Sequence, residues 1–524
     1  MNFNELGVDY LLVNTTNQFL LEYAPIEENS CHNLTGFTGD TGDALYCANE
    51  KIYLFVDGRY HTQADLEVDK DKVSVVKLKL GEKQDEAICE RILPNSTLGI
   101  VSSKVSQKRY EYFKTLLKVL NVKIKLLDID IFEKPYKKTS ANAEIISPNY
   151  TGKTFTDTVK KLEKPVLFTN SEEISYICNL RDFSKNYAVK IDGKLLITEN
   201  DTILFTDSNI SHEENLDFKV NKLEEFNNII KNITSPILVD KATITAKDYS
   251  LIKKPIYKES PIKLFKSVKT KQELEHMKYC FEMTDKALTS TRNYIYENEN
   301  LSEYDIEKEL ESNFKKYGAK SLSFKSIVAR NQNSAQAHYM NSSKKEILKD
   351  GDLILIDCGA YYEGGLATDI TRVFVKGDPL PIQKKVYTTV LKMFLFAFNH
   401  KVKEGTTTGF EIDNDTRGFL EEHKIDNFVF SHGLGHGIGV CVHEAPPNLS
   451  KNDIAKTPIK NNMCFTIEPG LYNDKAFGVR LENTCYLENG VIKSFSNMCY
   501  EKKLIDFSML TDIEKSQLNN FKVL

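Results

Sequence analysis

The 524-residue chain contains no tryptophan, and its 69 Lys+Arg are set against 74 Asp+Glu, a net charge of −5. It therefore has no surplus of cations to neutralise a nucleic-acid backbone or an anionic lipid surface. No apolar run approaches the roughly 20 residues that span a bilayer. A hydrophobic content of 41% fits a soluble globular protein. The start, MNFNELGVDYLLVN, lacks the basic stretch, apolar block and small-residue cleavage site of a signal peptide. Ten cysteines are scattered without a CxxC pair. That spacing argues against a disulfide framework and for reduced thiols in a cytoplasmic protein.

What is present suggests several domains, since a chain of this length exceeds what one core usually serves. Residues 1–130 alternate strand-like segments (DYLLVN, DALYCA, KIYLFVDG, SVVKLKL, TLGIVS, VKIKLLDI) with a helical QKRYEYFKTLLKVL, the pattern of an α/β domain. Within it LTGFTGDTGD and VDGRY (Val56 to Tyr60) read as turn chemistry, because Gly and Asp serve turns for backbone reasons. Residues 131–262 carry a weaker copy. KPVLFTNSEEISYICNLRD echoes DYLLVNTTNQFLLEYAP, DTILFTDSNI echoes IYLFVDGRYH, and ITSPILVDKATITAKDYSLIKK echoes PNSTLGIVSSKVSQKRYEYFKTLL, so a duplicated domain is expected. The polar, Pro-containing EKPYKKTSANAEIISPNYTGKT lies between them as a linker. A third unit, 263–524, opens on a capping box, Thr270 with Glu273, before a long amphipathic helix, and closes on another, Thr511 with Glu514.

The chemistry concentrates in this third unit. Gly351 to Gly377 reads as two strands, LILIDC and TDITRVFV, each carrying an aspartate, Asp357 and Asp369, in an otherwise apolar run. An ionised carboxylate taken out of water needs a cation or strong donors. From Asn462 to Gly490 the chain repeats the arrangement with Glu468 and Glu482. Two such hairpins facing each other would gather four carboxylates, which cannot all stay ionised a few ångströms apart without cations. Two divalent ions would balance them.

Between the hairpins, SHGLGHGIGVCVHEAP places His432, His436 and His443 within twelve residues. Gly433, Gly435, Gly437 and Gly439 suggest room for a ligand against the backbone. The run is not a phosphate loop, for it lacks the following Lys-Ser/Thr and the strand-then-helix setting. His338, in SAQAHYMNSS, reads in isolation as a loop histidine.

These residues resemble the pita-bread metallopeptidases: the acids of LIDCGA, TDITR, TIEPGLY and VRLEN and the middle histidine of HGLGHG match the family's five ligands of a dinuclear metal site. LTGFTGDTGDALYC, LFVDGRYHTQA, YTGKT, ISYICNLRD, KSVKTKQELEHMK and the tail MCYEKKLIDFSMLTDIEKSQLNNF look like the three-domain cytosolic Xaa-Pro aminopeptidases within it. The resemblance implies two creatinase-like N-terminal α/β domains and a C-terminal pita-bread catalytic domain. It implies an enzyme that removes the N-terminal residue from peptides with proline in second position, acting as a cytoplasmic homodimer without nucleic-acid or membrane partners. Asp357 would bind one metal ion, His436 and Glu468 the other, and Asp369 and Glu482 both. Four carboxylates and one imidazole favour Mn²⁺, with Co²⁺ or Zn²⁺ as alternatives. Glu468 would shuttle a proton, His443 would hydrogen-bond the developing oxyanion, and His338 and His432 would line the proline pocket. Arg480 and Tyr472 would support the ligands.

Three departures stand out. Asp357 and Asp369 are twelve positions apart, one more than usual, the span from His436 to His443 is short, and NLRDFSKNYAV is abbreviated. A proline dipeptidase would share every ligand and remains the main alternative. A methionine aminopeptidase would normally lack the duplicated domains, and a metal-free binding protein or creatine hydrolase of this fold would have lost ligands that are retained here.

Overall fold

The computed structural model describes residues 3–79, 81–135, 141–185 and 187–524. Residues 136–140 of the expected linker, Asn186 of the abbreviated loop and Leu80 at the end of SVVKLKL lie outside them. The chain packs as two units. One comprises Met1–Ile145, Lys153–Asp182 and Lys190–Ile262, and the other Ile146–Gly152, Phe183–Val189 and Lys263–Leu524.

The first unit is built on two six-stranded sheets. Strands β1 (Tyr10–Asn14), β2 (Asp43–Cys47), β3 (Ile52–Val56), β4 (Val73–Lys77), β5 (Thr97–Val101) and β6 (Lys123–Leu127) run in the order β4-β3-β2-β1-β5-β6. Strands β7 (Val166–Phe168), β8 (Lys194–Ile197), β9 (Thr202–Phe205), β10 (Lys219–Asn221), β11 (Ile237–Val239) and β12 (Pro255–Tyr257) run β10-β9-β8-β7-β11-β12. The second order is the first shifted by six. The pairings also agree in sense: β1 is antiparallel to β2 and parallel to β5, as β7 is to β8 and β11. The internal echo read from sequence is thus a repeated topology. In the first sheet Leu11 and Val13 face one apolar layer while Tyr10 and Leu12 face another, so the sheet is covered on both sides. Helix α1 (Gln107–Leu117) supplies Phe113 and Leu117 to the second layer. The VDGRY turn is held locally, with Asp57 accepting from the Arg59 amide at 3.0 Å and from its guanidinium at 2.8 Å.

The second unit holds the acid hairpins. Helix α2 (Lys271–Glu297) begins at the expected reciprocal cap, with Thr270 N–H donating to Glu273 at 2.8 Å and Glu273 N–H to Thr270 Oγ1 at 3.1 Å. It packs beside α3 (Glu303–Lys316) on a three-stranded antiparallel sheet of β13 (Ile327–Arg330), β14 (Leu353–Cys358) and β15 (Ile370–Val375). The period-two alternation of a strand sorts β14 cleanly. Ile354, Ile356 and Cys358 pack with α2 and α3, whereas Leu353 and Leu355 join the opposite layer with α4 (Pro381–Phe398) and α5 (Gly409–Glu421). Asp357 shares the parity of Leu353 and Leu355, and Asp369 and Thr371 that of Val373 and Val375. All three therefore aim into the inner layer.

The second hairpin supplies β16 (Cys464–Ile467), β17 (Gly470–Tyr472), β18 (Gly478–Arg480), β19 (Asn483–Glu488) and β20 (Val491–Ser494). β16 pairs β19, which pairs β20, while β17 and β18 form a separate ribbon. The four acids do not all lie inside strands as the apolar runs suggested. Asp357 does, but Asp369 immediately precedes β15, Glu468 follows β16, and Glu482 precedes β19. Strand ends release a carboxylate from the sheet, so it can turn toward a common point.

One arginine ties these pieces together. Fully buried Arg372 donates from Nε to Cys499 O (3.1 Å), from Nη1 to Thr371 O (3.0 Å) and Glu482 O (2.6 Å), and from Nη2 to Asn483 Oδ1 (2.8 Å) and Met498 O (2.8 Å). All five guanidinium protons are used, and its plane lies 4.4 Å over the Tyr500 ring. The chain's last segment is thereby fixed to the return strands of both hairpins. Replacing Arg372 by Met leaves these buried acceptors without donors, each costing about 1–3 kcal/mol. The expected result is a urea midpoint lowered by the equivalent of about 3 kcal/mol or more, read by circular dichroism; an unchanged midpoint would show that the guanidinium does not brace the hairpins.

Candidate metal and peptidase site

The two hairpins meet edge to edge through matched residues. Thr371, two positions after Asp369, accepts the Glu482 amide on its carbonyl at 3.2 Å and donates its hydroxyl to Glu482 Oε2 at 2.8 Å. Thr484, two positions after Glu482, donates its hydroxyl to Asp369 O at 2.8 Å. These crossed bonds bring the acids together. Asp369, His436 and Glu482 each present a ligand atom within 4.8 Å of the others. His436 Nε2 stands 3.5 Å from Asp369 Oδ2 and 3.6 Å from Glu468 Oε1. Its Nδ1 is 3.0 Å from Gly437 O, an acceptor only, so the proton sits on Nδ1 and the Nε2 lone pair faces the carboxylates. Asp357 is turned to Arg480, whose Nη2 lies 2.5 Å from Asp357 Oδ2.

Three of the four acids keep one buried oxygen without a hydrogen-bond partner: Asp357 Oδ1, Asp369 Oδ1 and Glu482 Oε1. Buried polar atoms are rarely left so. Burial first, and then the neighbouring carboxylates, push Asp369 and Glu482 well above the ordinary carboxylate range. Glu468 is raised as well, by burial, against the pull of His436 and Arg480. Unpartnered carboxylate oxygens converging with one imidazole lone pair form the donor set of a hard or borderline divalent cation. The residues therefore fit a metal pair, and Asp357, Asp369, His436, Glu468 and Glu482 are the side chains that could hold it.

Arg480 and Tyr472 lie on the paired ribbon of β17 and β18. Arg480 Nη1 donates to Tyr472 OH at 2.8 Å and Nε to Thr371 Oγ1 at 3.1 Å. The Tyr472 phenol, pushed up to about 12 by burial against the pull of Arg480, lies 2.8 Å from His432 Nε2. The His443 ring meets that of His436 edge-on, with centroids 4.5 Å apart. His338 is half-buried in the segment after Asn331–Ala335. That segment is anchored by Glu303, which accepts from Arg330 N (2.6 Å), Asn333 Nδ2 (2.9 Å), Tyr339 OH (2.8 Å) and Ser343 N (2.7 Å). Ser334 also bonds Gly478 of the Arg480 ribbon at 2.9 Å.

One expectation is corrected. The glycines of HGLGHGIG do not leave space for a ligand, because the chain's own backbone and the Glu444 side chain fill it. A Cβ at Gly435 would stand 2.0 Å from Thr466 O, and one at Gly437 2.1 Å from Glu444 O. A Cβ at Gly439 would meet the Glu444 carboxylate at 2.3 Å.

Glu444 itself was missed. Fully buried, it binds Lys269 at 2.6 Å with Lys266 at 3.8 Å, and accepts from Val440 N at 2.8 Å. Burial opposes its ionisation, but the two ammonium groups prevail and hold it below the usual carboxylate range. Its place beside His443 in VHEAPP was the available signal. The turn between Asp357 and Asp369 closes through Gly365 at φ +67°, with Gly364 N–H donating to His276 Nε2 at 3.1 Å.

Residues 275–489 match the model of metallopeptidase family M24, and residues 2–131 and 133–273 match two models of the creatinase/prolidase N-terminal domain. An uncharacterized peptidase of Methanocaldococcus jannaschii is 30% identical over 333 residues, which span 62% of this chain and 91% of the relative. The chain belongs to metallopeptidase family M24. Among further M24 relatives, a probable Xaa-Pro aminopeptidase P of Laccaria bicolor is 26% identical over 573 residues, 98% of this chain and 87% of its own. In fold, the chain matches an X-prolyl aminopeptidase from Caenorhabditis elegans, described as a cytosolic enzyme with a di-nuclear active site. That match has a TM-score of 0.90 at 19% identity and covers 98% of this chain and 90% of that one. Two creatinase-like α/β domains followed by a pita-bread domain is thus the architecture of this M24 chain.

A carboxyl whose folded pKa lies above its unfolded value stabilises the fold while protonated, and that contribution is lost as pH rises through the raised value. Chelator-treated protein should therefore gain more in melting temperature from added Mn²⁺ at pH 8 than at pH 5.5, because the cations replace protons on Asp369, Glu468 and Glu482. Differential scanning fluorimetry reads the increment; an equal one at both pH values would contradict the shared carboxylate site.

Proposed function

We propose that this M24 chain is a metal-dependent aminopeptidase that removes the N-terminal residue from peptides with proline in second position. The observation that carries the reading is the buried donor set of four acids and one imidazole, three of its oxygens unpartnered, in a chain alike over nearly its whole length to Xaa-Pro aminopeptidase P. Two divalent cations, Mn²⁺ before Co²⁺ or Zn²⁺ on the donor set, would be held by Asp357, Asp369, His436, Glu468 and Glu482, and when bound they supply Lewis acidity to the scissile carbonyl.

The remaining work belongs to the chain. Glu468, raised in pKa and partly accessible, is suited to take a proton from the attacking water and deliver it to the leaving proline nitrogen. Its own amide is fixed by Leu434 O at 2.8 Å. His443 stands against His436 where it can donate to the carbonyl oxygen as charge develops there. His432 and His338 line the proline side. Arg480, held between Tyr472, Thr371 and Asp357, sets the Asp357 carboxylate and carries charge that keeps Tyr472 and Glu468 from rising further.

Cytoplasmic residence is proposed from the ten free, buried cysteines and from the peptide class of substrate. No helix among the described residues is long and apolar enough to cross a membrane. A homodimer is proposed as the working state.

A peptide panel decides the reading. With Mn²⁺, Xaa-Pro-Xaa should be cleaved after Xaa in preference to Xaa-Pro and Met-Ala-Xaa; cleavage of Xaa-Pro alone would make the chain a dipeptidase. Asp369→Asn, which removes one shared negative charge, should lower kcat/KM by about a thousandfold, some 4 kcal/mol, with an unchanged circular dichroism spectrum. Wild-type turnover in this variant, or in protein stripped of metal, would refute the site.

A further inference from the structure

We infer that Arg417, through its ion pair with Asp413, is a positioning residue that sets the orientation of His432 toward the proline side of the substrate; this rests on the aminopeptidase reading above. The pair sits on α5, which carries none of the candidate ligands. Asp413 is fully buried, and Arg417 grips it with two bonds, Nε to Oδ2 at 2.9 Å and Nη2 to Oδ1 at 3.1 Å. A forked Arg–carboxylate pair fixes direction as well as distance. Its unused hydrogen-bonding capacity is aimed outward at one stretch of chain. Arg417 donates to Phe430 O at 3.2 Å and to His432 O at 2.5 Å, while Asp413 Oδ1 accepts from Leu434 N at 3.1 Å. The backbone from Phe430 to Leu434 is therefore clamped at three points around His432.

The ring is addressed too. The guanidinium lies 4.2 Å over Phe430, whose ring meets that of His432 edge-on at 5.1 Å. The imidazole then has one arrangement. Nδ1 lies 2.8 Å from Gly433 O, which can only accept, so it carries the proton, and Nε2 accepts from Tyr472 OH at 2.8 Å. Tyr472 in turn accepts from Arg480, which holds Asp357. A buried pair that only stabilised α5 would have no reason to spend its free donors and acceptor on one histidine and the residues two before and two after it.

The test joins kinetics to a direct view of the ring. Xaa-Pro-Xaa hydrolysis with Mn²⁺ is measured for Arg417→Lys, His432→Ala and the double variant, with Asp413→Asn as a second way to loosen the clamp. Selective ¹⁵N-histidine spectra are recorded on the same proteins. Arg417→Lys should lower kcat/KM by about tenfold, and add less than about twofold in the His432→Ala background, since residues acting through one another are non-additive. In the spectra, the single Nδ1–H form of His432 should give way to a tautomer mixture. Losses that multiply independently, or an unchanged His432 signal in both clamp variants, would overturn the inference. If the parent protein cleaves no Xaa-Pro peptide, it is the aminopeptidase reading that fails, and the His432 spectra still decide the positioning.

Discussion

Like charges held close in a buried place are the constraint on which this structure turns. Asp357, from within β14, and Asp369, Glu468 and Glu482, from three strand ends, converge, and each raises the cost of ionising the next. The protein's own hydrogen bonds relieve the strain only in part, since one oxygen on each of three acids has no partner. The guanidinium of Arg480 is spent on Asp357. What remains is an unmet demand for positive charge at a point also faced by an imidazole lone pair.

Much of the second unit serves to keep that demand in place. Crossed threonine bonds join the hairpins, Arg372 fastens their return strands to the end of the chain, and glycines let the histidine-bearing loop lie against Thr466 and Glu444. Buried ion pairs hold the loop at two places, Lys269 with Glu444 near His443 and Arg417 with Asp413 near His432. Such pairs contribute little net stability, because desolvation offsets their attraction. Their effect is geometric, fixing where neighbouring backbone and rings can be.

The sequence disclosed the acids because they break an apolar period: LILIDC and TDITRVFV cannot bury aspartate without cause. Helix starts at Thr270 and Thr511 were legible for the same local reason, since a cap and its partner lie three residues apart. The repeated sheet was legible as three weak echoes and proved to be a full repetition of strand order. Other features depend on partners far along the chain. Arg372 reads as a polar strand residue until Cys499 and Met498, 127 and 126 positions away, are seen to accept its protons. Glu444 finds Lys269 across 175 positions. Helix α4 is apolar on nearly every side, so it shows no amphipathic stripe to betray it. The glycines were misread because a missing side chain signals close approach without saying by what.

What occupies the convergence of the two hairpins decides the chemistry of the site. Crystals grown with Mn²⁺ and measured at the manganese absorption edge would locate it. Two anomalous peaks about 3.5–4 Å apart, ligated by Asp357, Asp369, His436, Glu468 and Glu482, are the predicted result. Peaks elsewhere, or none with those five side chains splayed apart, would contradict it.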